Sequence, residues 1–175
     1  MSSQLCRHIV FEALFIHGLK GEFNDALKSA GFDAKAPLAE YPLTTFGACL
    51  DVVAASPKFA ALPRDDAYRK LGTMFIEGIL ATMLGKVVGV AILLSGPERT
   101  GKKVPSLIKS DYGVSSTFRV VEKKRFEMAS EAGVPLFTGP YFAGIMEEAI
   151  RRARGVPNVT CRSENGSFVL DYTWE

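Results

Sequence analysis

Residues 96–103 read GPERTGKK, which fits the G-x-x-x-x-G-K core of a phosphate-binding loop up to its last position, where Lys103 replaces Ser or Thr. Such a loop holds phosphates on backbone N–H groups at a helix start, and its hydroxyl ligates magnesium. Lys103 removes that hydroxyl. The preceding GVAILL continues a helical stripe, so a helix enters the turn where the motif requires a strand. Both departures argue against an NTPase. What survives is a cluster of basic residues, Arg99, Lys102 and Lys103, that could serve an anion- or nucleotide-binding module.

Other chemistry is sparse. His8 and His17 are the only histidines, nine residues apart on the first helical stretch, and no metal-ligand spacing accompanies them. No G-x-S-x-G elbow occurs, and no histidine follows a serine or cysteine in the back half, so no nucleophile is paired with a base. Acidic neighbours such as Asp65-Asp66 and Glu147-Glu148 are adjacent rather than opposed, which suits helix dipoles and solvation. No catalytic residue, metal ligand or cofactor is predicted. Met83, Phe118, Phe126, Met128, Tyr141 and Ile145 instead form the candidate lining of an apolar pocket between helix and sheet, with solid core as the competing reading.

The whole chain bounds these options. Its 175 residues, 47% hydrophobic, suit one domain, and a net charge of +2 offers no global attraction for nucleic acid or a membrane surface. Cys6, Cys49 and Cys161 are odd in number and widely spaced, which suits a reducing cytoplasm. The start MSSQLCRHIV lacks the pattern of a secretory leader. A cytoplasmic location is the expectation.

The elements follow from periodicity. Helical spacing runs from about Ser3 to Leu19, through EFNDALKSAGF, through LTTFGACLDVVAAS, and along one stripe from about Asp65 to Leu94 that stops at Gly96-Pro97. The stretch from Asp33 to Pro42 reads as a loop. Gly78 to Leu94 is long and apolar, but Glu77 and Lys86 interrupt it; Ala81, Gly85 and Gly89 mark a close helix crossing rather than a membrane span. Period two then appears in VSSTFRVVE and RFEMASE, joined across Lys123-Lys124, and again around the Asn165-Gly166 turn. Between them TGPYFAGIMEEAIRRARG is a helix whose wet face pairs Glu147 with Arg151 and Glu148 with Arg152. The predicted fold is α+β: one domain, with a helical half over 1–110 packed on a ββαββ half over 111–175 that carries a four-stranded, mostly antiparallel sheet.

The segments AEYPLTTFGACLDVVAA, RKLGTMFIEGILATMLGK, LLSGPERTGKKVPSL and YFAGIMEEAIRRARGVPNVTC with FVLDYTW resemble a large paralogous family of unknown function found in myxobacteria. The shared marks are Tyr41-Pro42, Leu71-Gly72 with Phe75 and Gly78, Gly96-Pro97, Phe142 with Gly144, and Tyr172 with Trp174. The layout is also similar to haem nitric oxide binding domains and to four-vinyl-reductase-type ligand-binding domains. That resemblance implies the fold and an apolar cavity. The haem version takes its iron ligand from a proximal histidine on the helix ahead of the sheet, and grips the propionates with a Tyr-x-Ser-x-Arg strand. This chain offers SLIKSDYGVSS, with Tyr112 and no histidine, and RFEMASE, without that strand pattern. Those departures argue against haem. The expected role is a non-catalytic sensory or regulatory domain that binds a small apolar or amphipathic ligand or a protein partner, with nucleic acid and a membrane span not expected. A haem or gas sensor drawing its iron ligand from elsewhere, such as His17, is the alternative.

Overall fold

The computed structural model describes residues 4–135 and 137–175, with the side chains of 83–86, 88, 89 and 93 outside the description. Strand β1 (Leu5–Arg7) pairs antiparallel with β2 (Glu40–Pro42), Cys6 opposite Tyr41. Sequence reading placed a helix and a loop here. Strands this short carry little local signal, and their pairing is made across more than thirty intervening residues. Helix α1 (His8–Phe11) widens into a π-helical stretch (Glu12–Gly18), closed where Leu19 N–H donates to the Leu14 carbonyl at 2.8 Å.

Helix α2 (Asn24–Ser29) is short, and α3 (Leu43–Ala54) starts directly after Pro42. Helix α4 (Arg64–Ala81) follows Pro63 and places Asp65 and Asp66 in its first turn, where the helix dipole favours carboxylates. The single stripe expected from Asp65 to Leu94 is broken at Thr82, whose ψ of 161° ends α4 with neither Gly nor Pro to announce it. Helix α5 (Met83–Tyr112) is two segments joined at Gly96, which has φ 73° and ψ 169°. The stop at Gly96-Pro97 thus separates two helices, because a left-handed Gly ends the first and Pro97 suits the first turn of the next. The basic residues expected on turns lie on this second helical segment.

Within that segment Pro105 has no N–H to give to the Gly101 carbonyl four residues back. Tyr172 supplies the missing donor, its hydroxyl bonding Gly101 O at 3.0 Å. A sheet residue thereby completes the helix.

The sheet has the order β3 (Ser116–Glu122), β4 (Arg125–Ser130), β6 (Ser167–Trp174), β5 (Pro157–Glu164), with all neighbours antiparallel. Phe126 faces Tyr172 and Met128 faces Leu170 across β4 and β6, and all four side chains are buried. Asn165 and Gly166 have φ of 50° and 75°, the left-handed pair that a two-residue type I′ turn demands. Helix α6 (Thr138–Arg152) lies between α4 and the sheet. Its wet face is narrower than expected: Glu148 is buried under Arg151 and Arg152, accepting from Arg152 Nε at 2.7 Å, and Glu147 pairs with Arg69 of α4 at 2.9 Å.

Close helix crossings are made by Gly72 and Gly144; of the expected Ala81, Gly85 and Gly89, the last two lie outside the described side chains. A Cβ on Gly72 would sit 2.0 Å from the Tyr141 carbonyl oxygen, and one on Gly144 would sit 1.9 Å from that of Arg69. Backbone meets backbone at this crossing. Around it Phe11, Phe46, Tyr112 and Tyr141 form a continuous ring cluster, Phe46 lying 5.1, 5.7 and 5.4 Å from the other three.

Candidate functional site

The core is solid on that side and hollow on the other. Helix α4 turns Phe75, Ile76, Ile79 and Leu80 towards α5, both segments of α5 border the same space, and Ile145 and Ala149 of α6 close its floor. The cavity encloses about 560 Å³. Sites for small organic ligands fall at roughly 300–1,000 Å³ with mainly apolar walls, so both the size and the aliphatic lining suit one such molecule.

Polar groups in the wall are few and unequally satisfied. Arg7 Nη1 and Asp111 Oδ1 pair at 3.2 Å, neutralising each other at one edge. Thr82 Oγ1 donates to the Ile79 carbonyl at 2.7 Å. Thr100 is different: it is only 4% exposed, and its Oγ1 has no hydrogen-bond partner among the described residues. A threonine inside a helix normally turns its hydroxyl to a carbonyl three or four residues back, but Gly96, four residues back, has left helical geometry. An unmet buried hydroxyl costs about 1–3 kcal/mol. One turn further on, Lys103 lines the same space and makes no ion pair among the described residues. Beside the cavity the Tyr112 and Tyr141 hydroxyls bond at 2.9 Å, and burial raises both pKa values well above the ordinary tyrosine range, so both stay neutral.

The sequence-derived candidates divide sharply. Ile145 lines the cavity. Phe126, Met128 and Tyr141 are completely packed, and Phe118 is half-buried with its ring 5.3 Å from Phe126. These four fill core rather than border the cavity; Phe126, for one, packs beside Gly101 of α5 and has its ring 5.0 Å from Trp174 of the neighbouring strand β6. The side chain of Met83 lies outside the described residues. Of the basic trio only Lys103 reaches the cavity; Lys102 binds Glu98 at 2.6 Å and lies over the Phe126 ring, and Arg99 is exposed. Gly101 and Lys102 sit inside a helix, so GPERTGKK forms no phosphate-cradling loop. The lining residues that sequence reading missed, Thr100, Val104 and Ile108, do carry a signal. They recur at helical spacing through TGKKVPSLIKSD, concealed by Pro105 and by the turn reading of this stretch.

A second recess, about 280 Å³, lies beside Asp65, Arg69 and Cys161. Burial pushes the Cys161 thiol up to about 11, which leaves it protonated and poorly nucleophilic.

The fold is that of H-NOX proteins. An H-NOX protein from S. oneidensis in the Fe(II)NO ligation state superposes with a TM-score of 0.70 at 9% identity, covering 97% of this chain and 99% of that one. An oxygen-binding H-NOX domain related to soluble guanylate cyclases gives 0.65 at 13% identity over 95% and 92% of the two chains. The Fe(II) unliganded H-NOX protein from K. algicida gives 0.63 at 10% identity, covering 95% of each chain. By sequence, residues 4–174 match the family described as protein of unknown function (DUF2378), and the chain belongs to that family. No curated protein matches it.

Haem needs an axial donor such as imidazole, thiolate, thioether or phenolate. Among the described residues bordering the cavity there is no His, Cys or Met, and the one Tyr, Tyr112, is held neutral and bonded to Tyr141. His8 and His17 do not border it: His8 lies 6.3 Å from the Phe32 ring, and His17 Nε2 lies 3.4 Å from Glu12 Oε1. The described residues do not fit haem. The cavity they build suits an uncoordinated organic molecule.

Proposed function

We propose that this chain is a non-catalytic sensory or regulatory domain of the cytoplasm that takes up one small amphipathic ligand between α4, α5 and α6. The observation that carries this reading is the cavity itself, about 560 Å³ walled mainly by aliphatic side chains. Two features support a regulatory role. The cavity is bordered by both segments of α5, so an occupant bears on the joint at Gly96. Catalytic equipment is thin around it: among the described lining residues no base is paired with a nucleophile.

Native mass spectrometry before and after denaturation tests the reading. The protein purified from its own host is expected to carry an extra mass that leaves on unfolding, and Ile79→Phe, which projects a ring into the cavity, is expected to retain less of it. No extra mass under several growth conditions, with identical spectra for both proteins, would turn the interpretation towards a domain that binds other proteins.

A further inference from the structure

We infer that the ligand is an amphiphile with one acidic head group, a carboxylate on an aliphatic tail of roughly ten carbons, a size that cavities of this class accommodate. The inference rests on the cavity being a ligand site. It comes from two polar groups on one wall: the buried Thr100 hydroxyl, which has no partner among the described residues, and the exposed Lys103 at the cavity's edge. Thr100 and Lys103 are three residues apart on one helix and border the same space, so a single head group can reach both. The Thr100 hydroxyl is buried without a partner among the described residues, and a pure hydrocarbon would leave it so.

Charge decides between a neutral and an acidic head. Among the described residues, three side chains that are charged at neutral pH border the cavity: Arg7, Asp111 and Lys103. Arg7 and Asp111 cancel each other at 3.2 Å, which leaves Lys103 as the cation without a counter-charge among the described residues. A carboxylate accepts from the ammonium with one oxygen and from the Thr100 hydroxyl with the other, and charge-assisted bonds of this kind are about twice as strong as neutral ones. The aliphatic side chains of α4 then take the tail. A phosphorylated nucleoside suits the site poorly, since one lysine and one hydroxyl face a largely aliphatic wall.

Titration calorimetry of the full chain with decanoate and with decanol separates the possibilities. Decanoate is expected to bind about tenfold more tightly than decanol, which corresponds to one factor of ten in affinity. Lys103→Met should erase that preference while leaving decanol binding unchanged, and Thr100→Val should weaken decanoate by about threefold. Lys102→Met, on the neighbouring position but paired with Glu98, should leave the preference intact. Equal affinity for acid and alcohol, a preference that survives Lys103→Met, or one lost equally in Lys102→Met would overturn the acidic-head assignment and leave the cavity reading standing. Binding of neither compound, together with the absence of a retained mass, would overturn both. Circular dichroism of each variant shows whether a loss of binding reflects unfolding.

Discussion

Helix α4 has two faces built to opposite ends. Towards the π-helical stretch and α6 it presents Gly78 and Gly72, and neighbouring backbones approach until a single methyl group would collide with a carbonyl oxygen. Towards α5 it presents Phe75, Ile76, Ile79 and Leu80, and these border a cavity. One face gains its stability by excluding volume, the other keeps volume available. The difference teaches that apolar composition alone does not separate core from pocket. Glycine and stacked rings mark the solid side; branched aliphatics with one stranded hydroxyl mark the hollow side.

The comparison would break if large and small side chains were tolerated alike on both faces. The largest effect is expected for Phe46→Ala at the centre of the ring cluster, a loss of about 3–5 kcal/mol in chemical denaturation. Gly72→Ala follows, since its Cβ would stand 2.0 Å from the Tyr141 carbonyl oxygen and the helices must separate; a loss of ~1–3 kcal/mol is expected by the same measurement. A smaller effect sharpens the solid side further. Cys161 Sγ packs 2.7 Å from where Gly139 would carry a Cβ, and burial lifts its thiol from 9.0 to about 11. The folded state therefore holds a proton that the unfolded state releases. Its contribution is fully present below pH 9 and is lost as the pH rises to 11; after discounting for partial exposure it amounts to ~1 kcal/mol. Cys161→Ala should flatten the fall in stability over that pH window. The smallest effect is expected on the hollow side, where Ile79→Phe adds a ring into open space and should alter stability by less than about 0.5 kcal/mol while weakening ligand retention. A cost equal to that of Gly72→Ala would show that the space is tightly filled after all.

Much of the fold was legible because its signals are local. Pro42 before α3, Pro140 and Gly155 around α6, and Asn165-Gly166 between β5 and β6 each declare themselves within a few residues. The pairing of Cys6 with Tyr41 was not legible, since a three-residue strand owes its existence to a partner distant in the chain. Nor was the break at Thr82, where the apolar stripe runs on without Gly or Pro. Among the described residues, the candidate site was legible only at Ile145 and Lys103. Phe126, Met128 and Tyr141 have the composition of a pocket wall, yet whether such residues fill space or border it depends on how far apart α4 and α5 stand. That separation is a tertiary quantity with no residue to encode it.

The bond between Tyr172 and Gly101 has a consequence for how the chain folds. The two residues lie 71 positions apart, so the helix that contains Pro105 cannot be fully hydrogen-bonded in a dry environment until β6 has docked. Helices usually rest on local contacts; here one carbonyl of the α5 segment finds its protein donor only through a closure spanning 71 positions. Burial of this helix and the docking of β6 are therefore coupled through that bond, and the cavity wall that carries Thr100 and Lys103 is tied to the sheet.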